Sequence, residues 1–413
     1  MTPKKKLLLV TAGFPFGEWE RGFLSTEFGR LCEMFSVTVL SVGREDALLY
    51  PVDETVRVER FLYPKAAGSD RLKTFRHMLS PVVFSEVLRA VKTSSFKRAL
   101  SRVSLICAYY DRAKQLFTVM EKLMKEQQVD IVYTYWATEA AVAACLLKHK
   151  YPSLRFITRF HGHDLYAERK ASDWQPFRTW IRTCADRLVF ACRFGMDYFL
   201  QHWGGEEKAV LHYLGCTEVP AHTHLENKTL RIVSCSNLIP LKRVDCIIDA
   251  LSLLPKDMNV RWDHFGDGTE AASLKQRAEE ALSENIAWTF HGHIPNHQLR
   301  DRYRELDPDV FLTVSSTEGG VPVSIQGAFS MGIPAIGSAV GGIPEAVISE
   351  KTGFLLSANA SPAETAEAIK RYAELPAENK AAFSKAAFAM WETNFNAHQD
   401  AENFMNELLQ VAE

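Results

Sequence analysis

The segment "DVFLTVSSTEGGVPVSIQGAF", residues 309–329, combines residue types that bind phosphate and hydroxyl groups. The pattern predicts a buried strand, a Ser/Thr/Gly loop and a helix whose first turn contains Pro322. Free N–H groups at such a helix start attract phosphate, and the helix dipole adds to this attraction. Glu318, just before the turn, can accept hydrogen bonds from hydroxyls beside the phosphate. Gln326 lies about two turns further on, within reach of a second polyhydroxyl group.

A second glycine cluster, "SAVGGIPEAV" at residues 338–347, follows closely. Paired glycines before a proline are typical of a tight turn into a helix, and they let another group approach the backbone because they lack a Cβ. The cluster therefore predicts a place of close backbone approach. Glycines also serve packing alone, so a purely structural role for both turns remains open.

Two further segments carry side chains that suit anion or sugar chemistry. The segment "SNLIPLKRVD", residues 236–245, places Lys242 and Arg243 at a predicted helix start, where cations neutralise phosphate. The segment "ITRFHGHDLYAER", residues 157–169, brings two histidines and an aspartate to the end of a predicted strand. These side chains either contact a ligand or stabilise the loop itself. A metal site built on the two histidines is disfavoured because no third and fourth ligands can be identified in the sequence.

The elements that must position these residues are short, nearly continuous apolar runs separated by helical segments. Such runs are typical of strands buried on both faces of a parallel sheet, which predicts an α/β protein built from βαβ units. Predicted helices include residues 244–254 and 270–283. The predicted strands are LLLVT, VTVLSV, DIVYTYW, RFITRF, RLVFAC, LRIVSCS, VRWDHFG, IAWTFHG, DVFLTVS and PAIGS.

The length of 413 residues predicts two domains. We expect a Rossmann-like domain over residues 1–215, a linker over 216–229, a second Rossmann-like domain over 230–387, and C-terminal helices over 388–413 that cross back to the first domain. The linker prediction depends on the polar stretch "CTEVPAHTHLENKT", for which a surface loop is the alternative. Ligands of doubly wound sheets bind at the carboxyl ends of the strands, so we expect the site in a cleft between the two halves.

Composition excludes several classes of protein. Eight cysteines without a C-x-x-C pair indicate reduced thiols and argue against a disulfide framework or a zinc site. The start "MTPKKKLLLVTAGFPFGEWERGF" superficially resembles a signal peptide, but charges and a proline interrupt the short apolar run, which favours a first strand over residues 6–11. No apolar stretch approaches the roughly 20 residues that span a bilayer. We therefore expect a cytoplasmic protein that is soluble or peripheral to a membrane.

The segment from Arg71 to Lys125 holds twelve Lys or Arg against three acids, with apolar residues at helical spacing. One interpretation is that helices of the first domain carry solvated basic faces. The other is a surface that contacts anionic lipid or holds a lipid-linked phosphate. Both interpretations are compatible with each other.

In order and spacing these segments resemble glycosyltransferase family 4, in which a Glu-x7-Glu motif sits in an "EG-P-S-EA" context followed by "G-P-V-GG-PE". The similarity extends along nearly the whole chain and includes the family's first-domain His-Gly-x-Asp segment. Three more segments match: "VSCSNLIPLKRVDCIIDAL", "HFGDGTEAASLKQ" and "TFHGHIPNHQL". The resemblance implies the GT-B fold, with two Rossmann-like doubly wound domains facing a central cleft. It also implies that a sugar is transferred from a nucleotide donor and that its anomeric configuration is retained. The similar enzymes build bacterial surface polysaccharides.

The resemblance also implies roles for individual residues. Lys242 would neutralise the donor diphosphate, Glu318 would bind hydroxyls of the donor sugar, and His161 would orient that sugar. The remaining donor-binding positions would be Gly13, Asn237, Arg243, Gly266, His293, Ile294, Gly319, Gly320, Val321, Pro322 and Gln326. The acceptor-binding positions would be Arg159, His163 and Asp164. No metal and no cofactor is implied beyond the nucleotide sugar. The expected partners are a UDP-linked nucleotide-sugar donor and a glycan or lipid-linked glycan acceptor. The basic segment from Arg71 to Lys125 adds an anionic membrane surface as an expected partner, and nucleic acid is not expected.

Two departures from the family pattern bear on donor binding. Asn237 stands where the family often has an arginine, so one cation of the expected diphosphate clamp is missing unless Arg243 or Arg159 replaces it. Gln326 stands where the family has the second glutamate, which binds the nucleotide ribose. A glutamine loses the charge-assisted hydrogen bond, so we expect donor binding weaker by about 1–2 kcal/mol.

These departures leave alternatives to an active transferase open. One is a catalytically degenerate GT-B protein that acts as the binding partner of another transferase. A GT-B epimerase or phosphorylase with similar donor chemistry is a second alternative. A requirement for an acceptor would distinguish a transferase from an epimerase. A nicotinamide-dependent enzyme is disfavoured because no G-x-G-x-x-G follows the first strand.

Overall fold

The computed structural model describes residues 4–17, 20–43, 48–64, 74–93, 95–217 and 228–412. The chain divides into two compact units. Unit 1 comprises Met1–His212 and Ala401–Glu413, and unit 2 comprises Tyr213–Asp400. Of the predicted linker, residues 218–227 lie outside the described residues. The described Cys216 pairs through its backbone with Phe395 and Ala397 in unit 2.

Unit 1 is built on a parallel sheet with seven described strands in the order β3-β2-β1-β4-β5-β6-β7. Because the inner strands are buried on both faces, their sequences are nearly continuous apolar runs rather than alternating ones. The strands are β1 Lys6–Thr11, β2 Ser36–Ser41, β3 Arg57–Arg60, β4 Ile131–Thr134, β5 Arg155–Phe160, β6 Arg187–Phe190 and β7 Ala209–Leu211.

Helices cover both faces of this sheet. The α-helices of the first part of the chain are α1 Arg21–Met34, α2 Pro81–Lys92, α3 Phe96–Gln127, α4 Glu139–Lys150, α5 Gly162–Leu165, α6 Arg178–Cys184 and α7 Arg193–Trp203. One core contains α3, α4 and one face of the sheet. A second core lies on the other face and contains α1 together with Phe404, Met405 and Leu408 from the C-terminal helix.

Unit 2 repeats this design with a six-stranded parallel sheet in the order β10-β9-β8-β11-β12-β13. Its strands are β8 Leu230–Cys235, β9 Val260–Phe265, β10 Ile286–Phe290, β11 Val310–Thr313, β12 Ala335–Ser338 and β13 Gly353–Leu356. The remaining α-helices are α8 Val244–Ser252, α9 Ala271–Ala281, α10 Asn296–Leu306, α11 Val323–Phe329, α12 Ile343–Ala346, α13 Pro362–Ala373, α14 Ala377–Asn394 and α15 Ala397–Ala412. The core of unit 2 combines α8 and α13 with the sheet.

All ten apolar runs form strands, which confirms the α/β prediction, and β1 has the predicted bounds. The three strands that were not predicted, β3, β7 and β13, are short and lie at sheet edges. β3, with the sequence RVER, is only partly buried and therefore lacks an apolar run. β7 and β13 are apolar but only three and four residues long, so their sequence signal is weak. Both predicted helices are present with slightly shorter ends.

In each sheet the strand order reverses between the first strand and the fourth, as it does in the Rossmann fold. These switch points lie between β1 and β4 in unit 1 and between β8 and β11 in unit 2. The loops that leave the two strands at such a point diverge to opposite faces of the sheet, which opens a crevice at the carboxyl edge. Each unit therefore has one expected location for a ligand.

Within the described residues, none of the helices combines the length and the apolar character needed to cross a bilayer.

Candidate functional site

The switch point of unit 2 brings together two of the predicted catalytic residues. Lys242 ends a short 3-10 helix, Pro240–Lys242, in the loop after β8, and Glu318 lies in the loop after β11. The Lys242 Nζ lies 2.6 Å from Glu318 Oε1, although 76 residues separate the two in the chain. Their side chains are 19% and 11% exposed, so solvent still reaches both. A partly buried cation and carboxylate thus share the crevice.

The glycine cluster at residues 341–342 supports the Glu318 loop. A Cβ built on Gly341 would lie 2.2 Å from the Glu318 carbonyl oxygen, and one on Gly342 would lie 2.5 Å from the Gly320 carbonyl carbon. Gly341 also has a φ of +54°, which favours glycine. The close backbone approach expected at this cluster is made by the protein's own loop, residues 318–321.

We expect Gly342→Ala to destabilise unit 2 by about 1–3 kcal/mol, because the new methyl overlaps backbone atoms that cannot move independently. Gly327→Ala is the matched control. Gly327 lies inside α11 with no atom within 4 Å of its Cβ position, so this change is expected to stabilise by about 0.5–1 kcal/mol. Denaturant unfolding of the wild type and the two variants measures both changes in the free energy of unfolding. Equal stability of the two variants would contradict the close packing at Gly342.

Pro322 lies just outside the helix in which it was predicted. Its ψ of 129° is extended, and α11 begins at Val323. The predicted first turn is therefore shifted by one residue, with Pro322 as the residue that precedes the helix. Of its neighbours in the loop, Gly319 and Gly320 are partly exposed, whereas Val321 is buried.

Gln326 is fully buried on α11. Its Nε2 donates to the Val321 carbonyl oxygen at 3.0 Å, and its Oε1 has no hydrogen-bond partner among the described residues. The side chain therefore braces the loop that contains Glu318, and it does not reach an open surface where a second hydroxyl group could meet it.

The other predicted donor positions lie around the same carboxyl edge. Gly266 follows β9, has a φ of +140°, and donates from its N–H to the Gly292 carbonyl oxygen. His293 and Ile294 come next after Gly292, with His293 exposed. Asn237, after β8, is also exposed. The structure thus gathers these positions on the edge that holds Lys242 and Glu318.

Arg243 follows Lys242 but is directed elsewhere. It has a φ of +49°, and its Nη2 donates to the Ala360 carbonyl oxygen at 2.8 Å. That hydrogen bond holds the guanidinium against the start of α13. Arg243 therefore does not replace the cation that was expected at the position of Asn237.

Unit 1 has a pocket of about 310 Å³ at its own switch point. Residues at the ends of β1 and β4 line it, together with the start of α4 and the side of α3. Its polar lining includes Thr11, Tyr63, Trp136, Glu139 and His163. The Tyr63 hydroxyl is buried without a hydrogen-bond partner among the described residues. The pocket thus offers an aromatic wall and polar groups that a hydroxyl-bearing ligand would satisfy.

Glu20 organises the loop beside this pocket and was not predicted. Its carboxylate accepts hydrogen bonds from the backbone N–H groups of Ala12 (3.0 Å), Gly13 (2.5 Å) and Phe14 (2.6 Å). Trp136 Nε1 donates to the same carboxylate at 2.5 Å. The N–H of Gly13, a predicted ligand position, is therefore already used within the protein. The signal for this role in the sequence is the presence of an acidic residue in the loop after β1.

His161 is almost fully buried at the end of β5. Its Nε2 lies 3.0 Å from the Tyr135 carbonyl oxygen, so Nε2 carries the proton, and its ring packs 4.1 Å from that of Trp136. Burial, with the nearby charge of Arg159 as a second cause, lowers the pKa of His161 to about 3. The imidazole is therefore neutral at pH 7 and suits hydrogen bonding rather than proton donation.

His163 and Asp164 have different surroundings. His163 is exposed, lines the pocket, and has its Nε2 2.7 Å from Lys170 Nζ. Asp164 is buried and accepts hydrogen bonds from the N–H groups of His161 (2.7 Å) and Ala137 (2.6 Å). Burial raises the pKa of Asp164 to about 6. Asp164 thus stabilises the loop, which leaves His163 as the member of this segment that faces the pocket.

Arg159 is fully buried and does not reach a surface where it could contact an acceptor. Its Nη1 lies 2.8 Å from Glu27 Oε2, and its guanidinium packs between the rings of Tyr135 and Phe404. An arginine with no exposed atoms in this position is part of the core of unit 1. Its expected role as an acceptor ligand or as a second diphosphate cation has no geometric support.

The stability of unit 1 is expected to depend on pH through His161. The unfolded chain protonates this histidine near its ordinary pKa of 6.5, whereas the native state keeps it neutral to about 3. Between these values the unfolded state binds more protons, so the native state loses about 1.4 kcal/mol per pH unit as the pH falls. Denaturant unfolding of the wild type and His161→Gln from pH 7 to 4 measures this. A stability difference between them that does not change with pH would contradict the prediction.

Among the described residues, no three or more His, Cys, Asp and Glu side chains are grouped as a metal site would require.

The sequence profile of the family described as glycosyl transferases group 1 matches residues 217–390, which lie within unit 2. A curated relative is WcaL of Escherichia coli K12, a glycosyltransferase named for colanic acid biosynthesis. It is 27% identical over 277 residues, which are 65% of this chain and 68% of WcaL. The amylovoran biosynthesis glycosyltransferase AmsK of Erwinia amylovora is 28% identical over 278 residues, 65% of this chain and 67% of AmsK. Across the six relatives the alignments cover 52% to 68% of their length.

Solved structures show the same architecture. HepE of Anabaena, in complex with UDP and glucose, superposes with a TM-score of 0.66 at 17% identity and covers 98% of this chain and 100% of its own. The lipopolysaccharide outer core galactosyltransferase WaaB gives a TM-score of 0.67 at 14% identity, with 98% and 99% covered. The family model thus matches most of unit 2, and the chain shares the GT-B fold of these solved structures.

Proposed function

We propose that this protein is a retaining glycosyltransferase that transfers a sugar from a UDP-linked donor to a growing, lipid-linked bacterial glycan. The observation that carries the proposal is the Lys242–Glu318 pair at the switch point of unit 2, inside the domain that matches the family profile. A cation beside a hydroxyl-binding carboxylate suits a ligand that joins a diphosphate to a sugar.

The chemistry follows from the charges of the two residues. As the sugar–oxygen bond of the donor breaks, negative charge grows on the departing diphosphate, and a fixed cation at Lys242 stabilises that charge. Glu318 accepts hydrogen bonds from the sugar hydroxyls. Because Lys242 and Glu318 hold each other at 2.6 Å, donor binding exchanges this ion pair for one contact to each part of the donor. The proposal includes no metal, since Lys242 supplies the neutralising charge.

The pocket of unit 1 is the proposed acceptor site. Its aromatic wall at Trp136 suits the face of a sugar ring, and the carboxylate of Glu139 and the ring of His163 can hydrogen-bond hydroxyls. Glu139 is 16% exposed and forms an ion pair with Arg112 at 2.8 Å, which holds the carboxylate in one orientation.

The names of the relatives support the choice of donor and acceptor. HepE was solved with UDP and with UDP-glucose, and WcaL and AmsK are named for the biosynthesis of colanic acid and amylovoran. By analogy we assign UDP as the donor nucleotide and a bacterial polysaccharide as the product. The proposal places the reaction at the cytoplasmic face of the membrane, where a lipid-linked acceptor is held.

Calorimetric titration of UDP, GDP, ADP and UDP-sugars into the protein tests the donor assignment. We expect UDP and one UDP-sugar to bind and the other nucleotides to bind more weakly. Incubation of the bound UDP-sugar with a lipid-linked glycan should then release UDP and preserve the anomeric configuration of the donor. Inversion of that configuration, or a preference for GDP or ADP, would contradict the corresponding part of the proposal.

A non-catalytic binding protein is the second candidate, and two observations favour it. Asn237 replaces an expected cation, and Gln326 is buried where a ribose-binding acid was expected. Absence of binding by every nucleotide, from folded protein, would support this candidate over the transferase. Turnover of a UDP-sugar without any acceptor would instead support an epimerase.

A further inference from the structure

Helix α2 carries apolar side chains on two neighbouring faces, about 100° apart around the helix axis. Val83, Val87 and Ala90 face inward and are buried. Phe84, Leu88 and Val91 are 51%, 46% and 40% exposed, and their spacing of four and three residues places them on one face. A helix that only packs onto its own domain needs a single apolar face, so the exposed face requires another explanation.

The exposed apolar residues are concentrated in this part of unit 1. Six of the 13 large apolar side chains exposed in the described residues fall within residues 75–100. Leu79, just before α2, is 90% exposed, and Leu100, near the start of α3, is 60% exposed. We call Leu79, Phe84, Leu88 and Val91 the outer stripe. Concentrations of this kind on soluble domains mark interaction surfaces.

The residues around the outer stripe are basic. Residues 74–103 contain six Lys or Arg and one acid, Glu86. Arg76 and Arg98 have side chains 68% and 64% exposed, and they approach carboxylates only at 3.8 and 3.9 Å. Arg89 is 47% exposed and lies 3.6 Å from Glu86. Contacts this long at a solvent-exposed surface leave the side chains free to take other partners.

Glu86 holds α2 in this orientation. Its buried carboxylate accepts hydrogen bonds from Trp174 Nε1 at 3.0 Å and from the Phe177 N–H at 2.9 Å. Rotation of the helix to bury Phe84 and Leu88 would break both hydrogen bonds and expose Val83 and Val87. The outer stripe is therefore held outward by the fold.

We propose that the outer stripe and the cations around it form a surface that docks on a bilayer containing anionic phospholipid. Apolar side chains of one helix face enter the boundary between headgroups and acyl chains, while arginine and lysine side chains reach the lipid phosphates. An uncharged bilayer would leave the cations without partners, and a second copy of the chain would place like charges together. The inference goes beyond the proposed function and does not depend on it, since docking needs no donor.

Flotation of the full chain with vesicles of phosphatidylcholine alone, or mixed with phosphatidylglycerol, tests the proposal. We expect binding to the mixed vesicles, weakened at least tenfold in Phe84→Ser/Leu88→Ser. Leu253→Ser is the matched control, because Leu253 is 56% exposed on unit 2 and should leave binding unchanged. Raising the salt from about 0.1 to about 1 M shortens the Debye length from about 10 to about 3 Å and should also weaken binding.

A second variant, Arg89→Gln/Arg98→Gln, changes charge without touching the outer stripe and keeps the test valid if the serine variant folds poorly. It should bind the mixed vesicles more weakly and with less dependence on salt. Failure of the wild type to bind mixed vesicles would overturn the proposal, as would equal binding by wild type and both variants. A serine variant that loses self-association but keeps vesicle binding would also overturn it, and would identify the outer stripe as an interface between copies.

Discussion

Lys242→Ala is expected to weaken UDP binding by roughly 10- to 150-fold, which corresponds to about 1.5–3 kcal/mol for a lost hydrogen bond to a charged group. The rate of sugar transfer should fall further, by roughly 10²- to 10³-fold, because the lysine stabilises charge that grows only as the donor breaks. Calorimetry measures the first effect, and UDP release at saturating donor measures the second. Lys256→Ala, at an exposed lysine of unit 2, is the matched control and should change neither.

Glu318→Gln separates the roles of the two paired residues. Removal of the carboxylate frees Lys242 from its 2.6 Å ion pair, so UDP should bind as tightly as to the wild type or more tightly. Transfer should nevertheless fall, because a neutral amide binds the sugar hydroxyls more weakly than a carboxylate. Parallel losses of UDP affinity in Lys242→Ala and Glu318→Gln would show that the pair acts structurally, and would contradict the assigned roles.

Arg159→Met is expected to destabilise unit 1 by about 3–5 kcal/mol, because it leaves the Glu27 carboxylate buried without its cation. Burial already raises the pKa of Glu27, and the Arg159 charge opposes that shift. Without the arginine, Glu27 should take up a proton on folding. The stability of the variant should therefore fall as the pH rises above the ordinary pKa of 4.5. Denaturant unfolding at several pH values measures both effects.

Two further variants control this prediction. Arg155→Met changes an arginine on the same strand whose side chain is 41% exposed, and it should cost at most about 1 kcal/mol. Adding Glu27→Gln to Arg159→Met removes the unpaired charge and keeps an acceptor for the Tyr133 hydroxyl, so it should recover at least about 2 kcal/mol. No recovery in the double variant would show that the loss came from packing around Phe404 and Tyr135 rather than from the buried charge.

The sequence was sufficient for the fold because its signals are local and repeated. A strand buried on both faces needs a continuous apolar run, and ten such runs could be recognised one by one. The alternation of strands and helices then leaves few arrangements, since crossovers between parallel strands are right-handed. The edge strand β3 was missed because it is only partly buried and lacks an apolar run.

The sequence also determined which residue types were available for chemistry, among them Lys242, Glu318, His161 and the glycines that permit tight loops. Only the tertiary structure decided which of them meet. Lys242 and Glu318 come together because β8 and β11 are neighbours in the sheet. Arg159 is buried in unit 1 and Gln326 is buried in unit 2. Glu20 accepts hydrogen bonds from three backbone N–H groups. The burial of a side chain and its choice of partner depend on residues that are distant in the chain. A local sequence pattern therefore does not encode them.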